Sequence, residues 1–88
     1  MINKTFTATL EKGSDKGGWT YVVWPESIEY FGTRGAVKIR VKIDGIEFQS
    51  SFMAMGNGMQ MLPVKLEIRK IIGKESGDLV TVELLEKL

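Results

Sequence analysis

The chain has 88 residues, 12 Lys and Arg against 11 Asp and Glu, and neither cysteine nor histidine. A hydrophobic share of 43% with 26% charged residues is the composition of one globular domain, residues 1–88, and not of a disordered chain. The missing residue types exclude disulfides, thiolate nucleophiles, zinc–sulfur sites and histidine bases or ligands. A net charge of +1 gives no global attraction to nucleic acid or anionic membrane.

The dominant hydrophobic period is two, the period of strands. "TFTATL" puts Phe6, Ala8 and Leu10 on one face and threonines on the other, and the start "MINKTFTATLEK" has no apolar core of a signal peptide. No apolar run approaches the ~20 residues that span a membrane, so a cytoplasmic protein is expected. A glycine-rich loop over residues 13–18 leads to "WTYVVW", apolar on both faces. Pro25 ends it, and "PESIEYFG" suits one helical turn.

"RGAVKIRVKIDGIEFQSSFM" is the clearest segment. Asp44-Gly45 between alternating strands predicts a two-residue hairpin, because a type I′ turn needs positive φ at both central positions. That turn pairs Ile43 with Ile46, Val41 with Phe48, Ile39 with Ser50 and Val37 with Phe52 on the core face. Lys42 then meets Glu47, Arg40 meets Gln49 and Lys38 meets Ser51 on the other face. A slip of one residue would turn the apolar set outward.

In "PVKLEIRKII" the period changes. Val64, Ile68, Ile71 and Ile72 form a helical stripe, with Pro63 at the first helical position, Leu62 as N-cap and Gly73 just past the end. Lys70 and Lys74 suit the C-terminal end of the helix dipole. A last strand, "LVTVELL", follows the Gly77-Asp78 turn. The sum is a mostly β protein: a small closed antiparallel barrel of about five or six strands with one short helix in the C-terminal half.

The segments "GGWTYVVWP", "FGTRGAVKIRVKIDGIEFQSSFMAMGNG", "LPVKLEIRKIIGKESGD" and "VTVEL" together resemble the prokaryotic family called domain of unknown function 1905. The resemblance implies a compact double-split β-barrel, related to the swapped-hairpin barrels of AbrB-like regulators and MazE-like antitoxins. Elsewhere such a domain is joined to a YdeI/OmpD-associated segment, linked by name to bacteriocin protection; these residues read as the barrel alone. The family carries no established activity.

Three groups of residues are candidates for function. "MGNGMQMLPVK" reads as a glycine-rich turn into a helix that lacks a good side-chain cap. Gly56, Asn57, Gly58 and Gln60 with Lys65 and Arg69 would then hold an anion. The loop lacks P-loop spacing. Arg34, between two glycines in "FGTRG", joins this set; Lys38, Arg40, Lys42 and Lys70 extend the basic surface. The aromatic and methionine surplus, with Trp24, Met59, Met61 and Leu66 foremost, suggests a pocket or a homodimer face. Glu26, Glu29 and Tyr30 cluster in the short turn without a nucleophile or base beside them.

The expectation is therefore a non-enzymatic binding module for an anionic small molecule or acidic peptide. No metal, cofactor, membrane or nucleic-acid partner is expected. A DNA-binding or antitoxin-like dimer presenting Lys38, Arg40 and Lys42 is one alternative, by fold analogy alone. A structural or protein-interaction domain is the other.

Overall fold

A computed structural model describes residues 2, 4–13, 19–55 and 58–88. Its architecture follows from a strand that changes partners halfway. β1 (Lys4–Thr9) pairs with β7 (Leu79–Lys87), while β2 (Glu11–Lys12) pairs with β3 (Thr20–Val23). Only Leu10 separates them, buried to 1% exposure, with its N–H donating to the Asp78 carbonyl (2.9 Å) and its carbonyl accepting from Gly77 N–H (2.8 Å). The remaining strands are β4 (Val37–Ile43), β5 (Ile46–Ala54) and β6 (Gln60–Pro63), and the hydrogen-bonded order is β1-β7-β4-β5-β6-β3-β2. The order thus begins and ends on two halves of one bent strand, so the antiparallel sheet curls into a nearly closed barrel and hides most of its edges.

β5 bends in the same way. Its first seven residues pair with β4 and its last two, Met53 and Ala54, with β6. The β4–β5 register is the one the Asp44-Gly45 turn predicts, from Ile43↔Ile46 to Val37↔Phe52. Both turn residues have positive φ, 48° and 86°. Alternation then sends Val37, Ile39, Val41, Ile43, Phe52, Val80, Val82 and Leu84 inward, joined by Leu10, Val22, Leu62 and Val64.

Two short helices flank the barrel: α1 (Ser27–Phe31), at the helical turn expected in "PESIEYFG", and α2 (Leu66–Ile72), the one short helix expected in the C-terminal half. Each ends on a left-handed glycine, Gly32 and Gly73. Ile68 packs into the core and Ile72 against it, but Ile71 is exposed. In a two-turn helix Ile71 lies ~60° off the Ile68 direction, enough to leave the contact.

The sheet has seven strand segments against the five or six expected. The two that a period-of-two reading does not find are the two-residue β2 and β6. β6 contains Pro63, a residue that reads as a helix start. In the fold Pro63 is the last residue of a strand, opposite Tyr21. Its carbonyl accepts the Ser50 hydroxyl of β5 (3.0 Å), so its missing N–H faces the same side, where β5 offers no backbone partner. This also accounts for a polar residue on the inward face of β5. Leu62 is accordingly a fully buried strand residue, and the N-cap of α2 is Lys65.

Candidate functional site

The glycine-rich stretch does not open α2. Met55 N–H donates to the Met59 carbonyl (3.0 Å) and closes a hairpin between β5 and β6. Gly58 sits there at φ +84°, a conformation that favours glycine. Gly56 and Asn57 lie outside the described residues. β6 intervenes before the helix, and its four residues span ~10 Å. The expected single anion site therefore divides between the two ends of that strand.

At one end Gln60 is fully buried. Its side-chain amide donates to the Gly35 carbonyl (2.8 Å) and, at 3.5 Å, to the Thr33 carbonyl. Two carbonyl acceptors fix which end of the amide is nitrogen. Gln60 thus ties down the turn on both sides of Arg34, and Thr33 Oγ1 accepts the Gly35 N–H (3.0 Å) within the same turn. Arg34 is exposed and has no ion-pair partner among the described residues. This cluster is a structural staple with one exposed cation on it.

At the other end Lys65, Leu66 and Arg69 come together with Trp19, which the sequence offered only as one of the surplus aromatics and not as the partner of Leu66. They line an open groove of about 360 Å³ with Pro63 and Val64. Trp19 is 52% exposed and Leu66 50% exposed. Leu66 lies ~200° around α2 from the core-facing Ile68, so the helix cannot bury both. Arg69 is committed within the fold: its Nε donates to the Val64 carbonyl (3.1 Å) and its Nη1 pairs with Glu75 (2.6 Å). Lys65 is exposed and has no ion-pair partner among the described residues. The groove thus has apolar walls, a fixed guanidinium, a free ammonium and no carboxylate among the described residues that line it. The signal in the sequence was slight: a tryptophan directly after a glycine-rich loop.

Trp24, expected to share a pocket with Leu66, is elsewhere. It is buried to 5% exposure and stacks on Phe6 with ring centroids 5.1 Å apart and planes 7° from parallel. Tyr30, Phe31 and Phe52 surround the same ring at 5.3 to 6.1 Å. Met61 lies beside Met53 and Val23 on the outer side of β6, half-buried like Met59.

The basic face of β4 is answered by acids. Arg40 pairs with Glu86 (2.7 Å) and with Glu47 (3.4 Å), and Lys42 stands between Glu47 and Glu83 in the register. Charges alternate across this face, so it carries no continuous cationic stripe. Lys38 and Lys70 remain exposed, on β4 and α2.

Among the described residues no group of three or more His, Cys, Asp or Glu is placed to hold a metal ion, and no helix is long and apolar enough to cross a membrane. No curated protein matches this chain. A family model does, over residues 6–84. That match takes in all or most of every strand and both ends of β6, and it places the chain in the family described as Domain of unknown function (DUF1905).

Proposed function

We propose that this barrel is a non-enzymatic binding module whose ligand carries a carboxylate on an apolar or aromatic body, as a small organic acid or an acidic peptide side chain beside an apolar one does. The observation that supports the reading is the Trp19–Leu66 groove, whose described lining has two cations and no carboxylate. Trp19, Pro63 and Leu66 give the apolar body its contact, and Lys65 meets the carboxylate at the rim. Arg69, already bonded to Val64 and Glu75, fixes the groove wall. This moves the anion from the glycine-rich hairpin to the far end of β6.

Phenylacetate is a direct probe, with acetate and phenethylamine as controls lacking the ring or reversing the charge. The indole N–H resonance of Trp19 should move saturably with phenylacetate alone. Trp19→Ala should abolish binding, Lys65→Met should weaken it about two- to fivefold, the range of an exposed ion pair, and Arg34→Ala should leave it unchanged. No saturable shift at Trp19 up to ~10 mM, where even a weak ~3–4 kcal/mol site would fill, ends the reading.

A second reading, self-association, draws on the half-buried strip of Met53, Met61 and Val23 across β5, β6 and β3. Light scattering showing a monomer at high concentration would dismiss it.

A further inference from the structure

The barrel has a second cleft, of opposite character, where the bent first strand parts from α1. It is open, of about 690 Å³, within the range of small-molecule sites, and it is lined by Phe6, Trp24 and Tyr30 with Lys4, Glu26 and Glu29. Phe6 comes from β1, Trp24 follows β3, and the two acids and Tyr30 come from α1 and its N-cap. The Phe6–Trp24 stack draws β1 towards the end of β3. Tyr30 leans over Trp24 at 5.3 Å and 51°, and is 46% exposed. The aromatic part of the cleft is thus built on a packed cluster, with one ring offered to solvent.

Two observations say what this cleft attracts. First, Glu26 and Glu29 are exposed and have no ion-pair partner among the described residues. Second, the chain's own Lys4 ammonium lies over the Tyr30 ring, 5.8 Å from its centroid. An ammonium within about 6 Å of a ring face is held by the ring quadrupole. Lys4 therefore occupies, from inside the molecule, the place that an external cation would take.

We infer that this cleft is a binding site for an organic cation, a substituted ammonium attached to an apolar or aromatic group. The cation replaces Lys4 on the Tyr30 face, its apolar part lies against Phe6 and Trp24, and Glu26 and Glu29 supply the opposite charge. With Lys4 in place the lining carries one net negative charge; with Lys4 swung out into water it carries two. Lys4 is thus a built-in competitor, and its removal tightens the site.

Benzyltrimethylammonium chloride tests this by proton–nitrogen NMR, with benzyl alcohol as the uncharged control. The indole N–H of Trp24 and the amides of Glu26, Glu29 and Tyr30 should shift saturably with the cation and not with the alcohol. The Trp19 indole should stay still, which keeps this outcome separate from that of the groove. Glu26→Gln and Glu29→Gln should each weaken binding about two- to fivefold. Tyr30→Leu should abolish it; at a half-exposed position this replacement leaves the fold intact, as its amide spectrum will show. Lys4→Gln should tighten it several-fold. The proposal is overturned by the absence of saturation at ~10 mM cation, by equal shifts with benzyl alcohol, or by an affinity that Lys4→Gln leaves unchanged.

Discussion

Asp44 holds the β4–β5 turn, β7 and the end of α2 together, and two replacements separate its roles. Its N–H donates to the Thr81 carbonyl (3.0 Å), Oδ1 accepts the Thr81 N–H (2.9 Å), and Oδ2 meets the Lys74 ammonium (2.7 Å). Lys74 also donates to the Leu79 carbonyl (2.7 Å). In Asp44→Asn the turn keeps a residue that tolerates φ 48° and an oxygen for Thr81, and loses the charge. The pair is partly exposed, at 20% for Asp44 and 34% for Lys74, so the expected cost is about 0.5–1 kcal/mol. Asp44→Ala also gives up the local side-chain bonding that lets Asp and Asn adopt φ 48°, about 1 kcal/mol, and the hydrogen bond to the exposed Thr81 amide, about 1 kcal/mol. Its total is about 3 kcal/mol. Thermal denaturation followed by circular dichroism at pH 7 should then show a fall of roughly 5 °C for Asn and 15 °C for Ala. Burial raises the Asp44 pKa, but the bonds to Lys74 and Thr81 and the Lys74 charge outweigh it, and the net shift is below the ordinary 3.8. A carboxylate lowered on folding stabilises fully above its unfolded pKa and loses that contribution as pH falls through its folded value. The gap between wild type and Asp44→Asn should accordingly be constant above pH ~5 and close as pH drops below ~4. Equal losses for Asn and Ala at pH 7, or a gap that persists at pH 2, would refute the division of roles.

Three further outcomes are expected. Leu10→Ala empties the bend that joins β1 to β2 and should cost about 3 kcal/mol, with faster hydrogen exchange in β1 than in β4; uniform acceleration would mean that Leu10 is ordinary core. Gln60→Met leaves the Gly35 carbonyl without its donor and should cost about 1–3 kcal/mol, with exchange rising first at Thr33–Gly35, while phenylacetate still binds at Trp19. Gly58→Ala meets no atom within 4 Å of its new β-carbon but must keep φ +84°, so about 1 kcal/mol is lost to strain alone; no loss in denaturant unfolding would show that the hairpin relaxes.

Local chemistry determined much of this protein before it folded. A two-residue Asp-Gly turn has one strand register compatible with an apolar inner face, so every β4–β5 pair was readable from order alone. Alternation likewise marked β1 and β7, a short run apolar on both faces marked β3, and Gly73 marked the end of α2. What the sequence could not decide depends on partners distant in the chain. Pro63 looks like a helix start until β5 bends away, leaving its missing N–H without cost and its carbonyl to Ser50. The closure of the barrel rests on Leu10 meeting residues 77 and 78, and no periodicity encodes that contact. The candidate sites divide in the same way. Residue types gave the cations and the aromatics, but the fold put Gln60 and Lys65 at opposite ends of β6, joined Trp19 to Leu66, and set Lys4 over Tyr30. Side-chain chemistry is a property of the residue; which groups share a cleft is a property of the closed sheet.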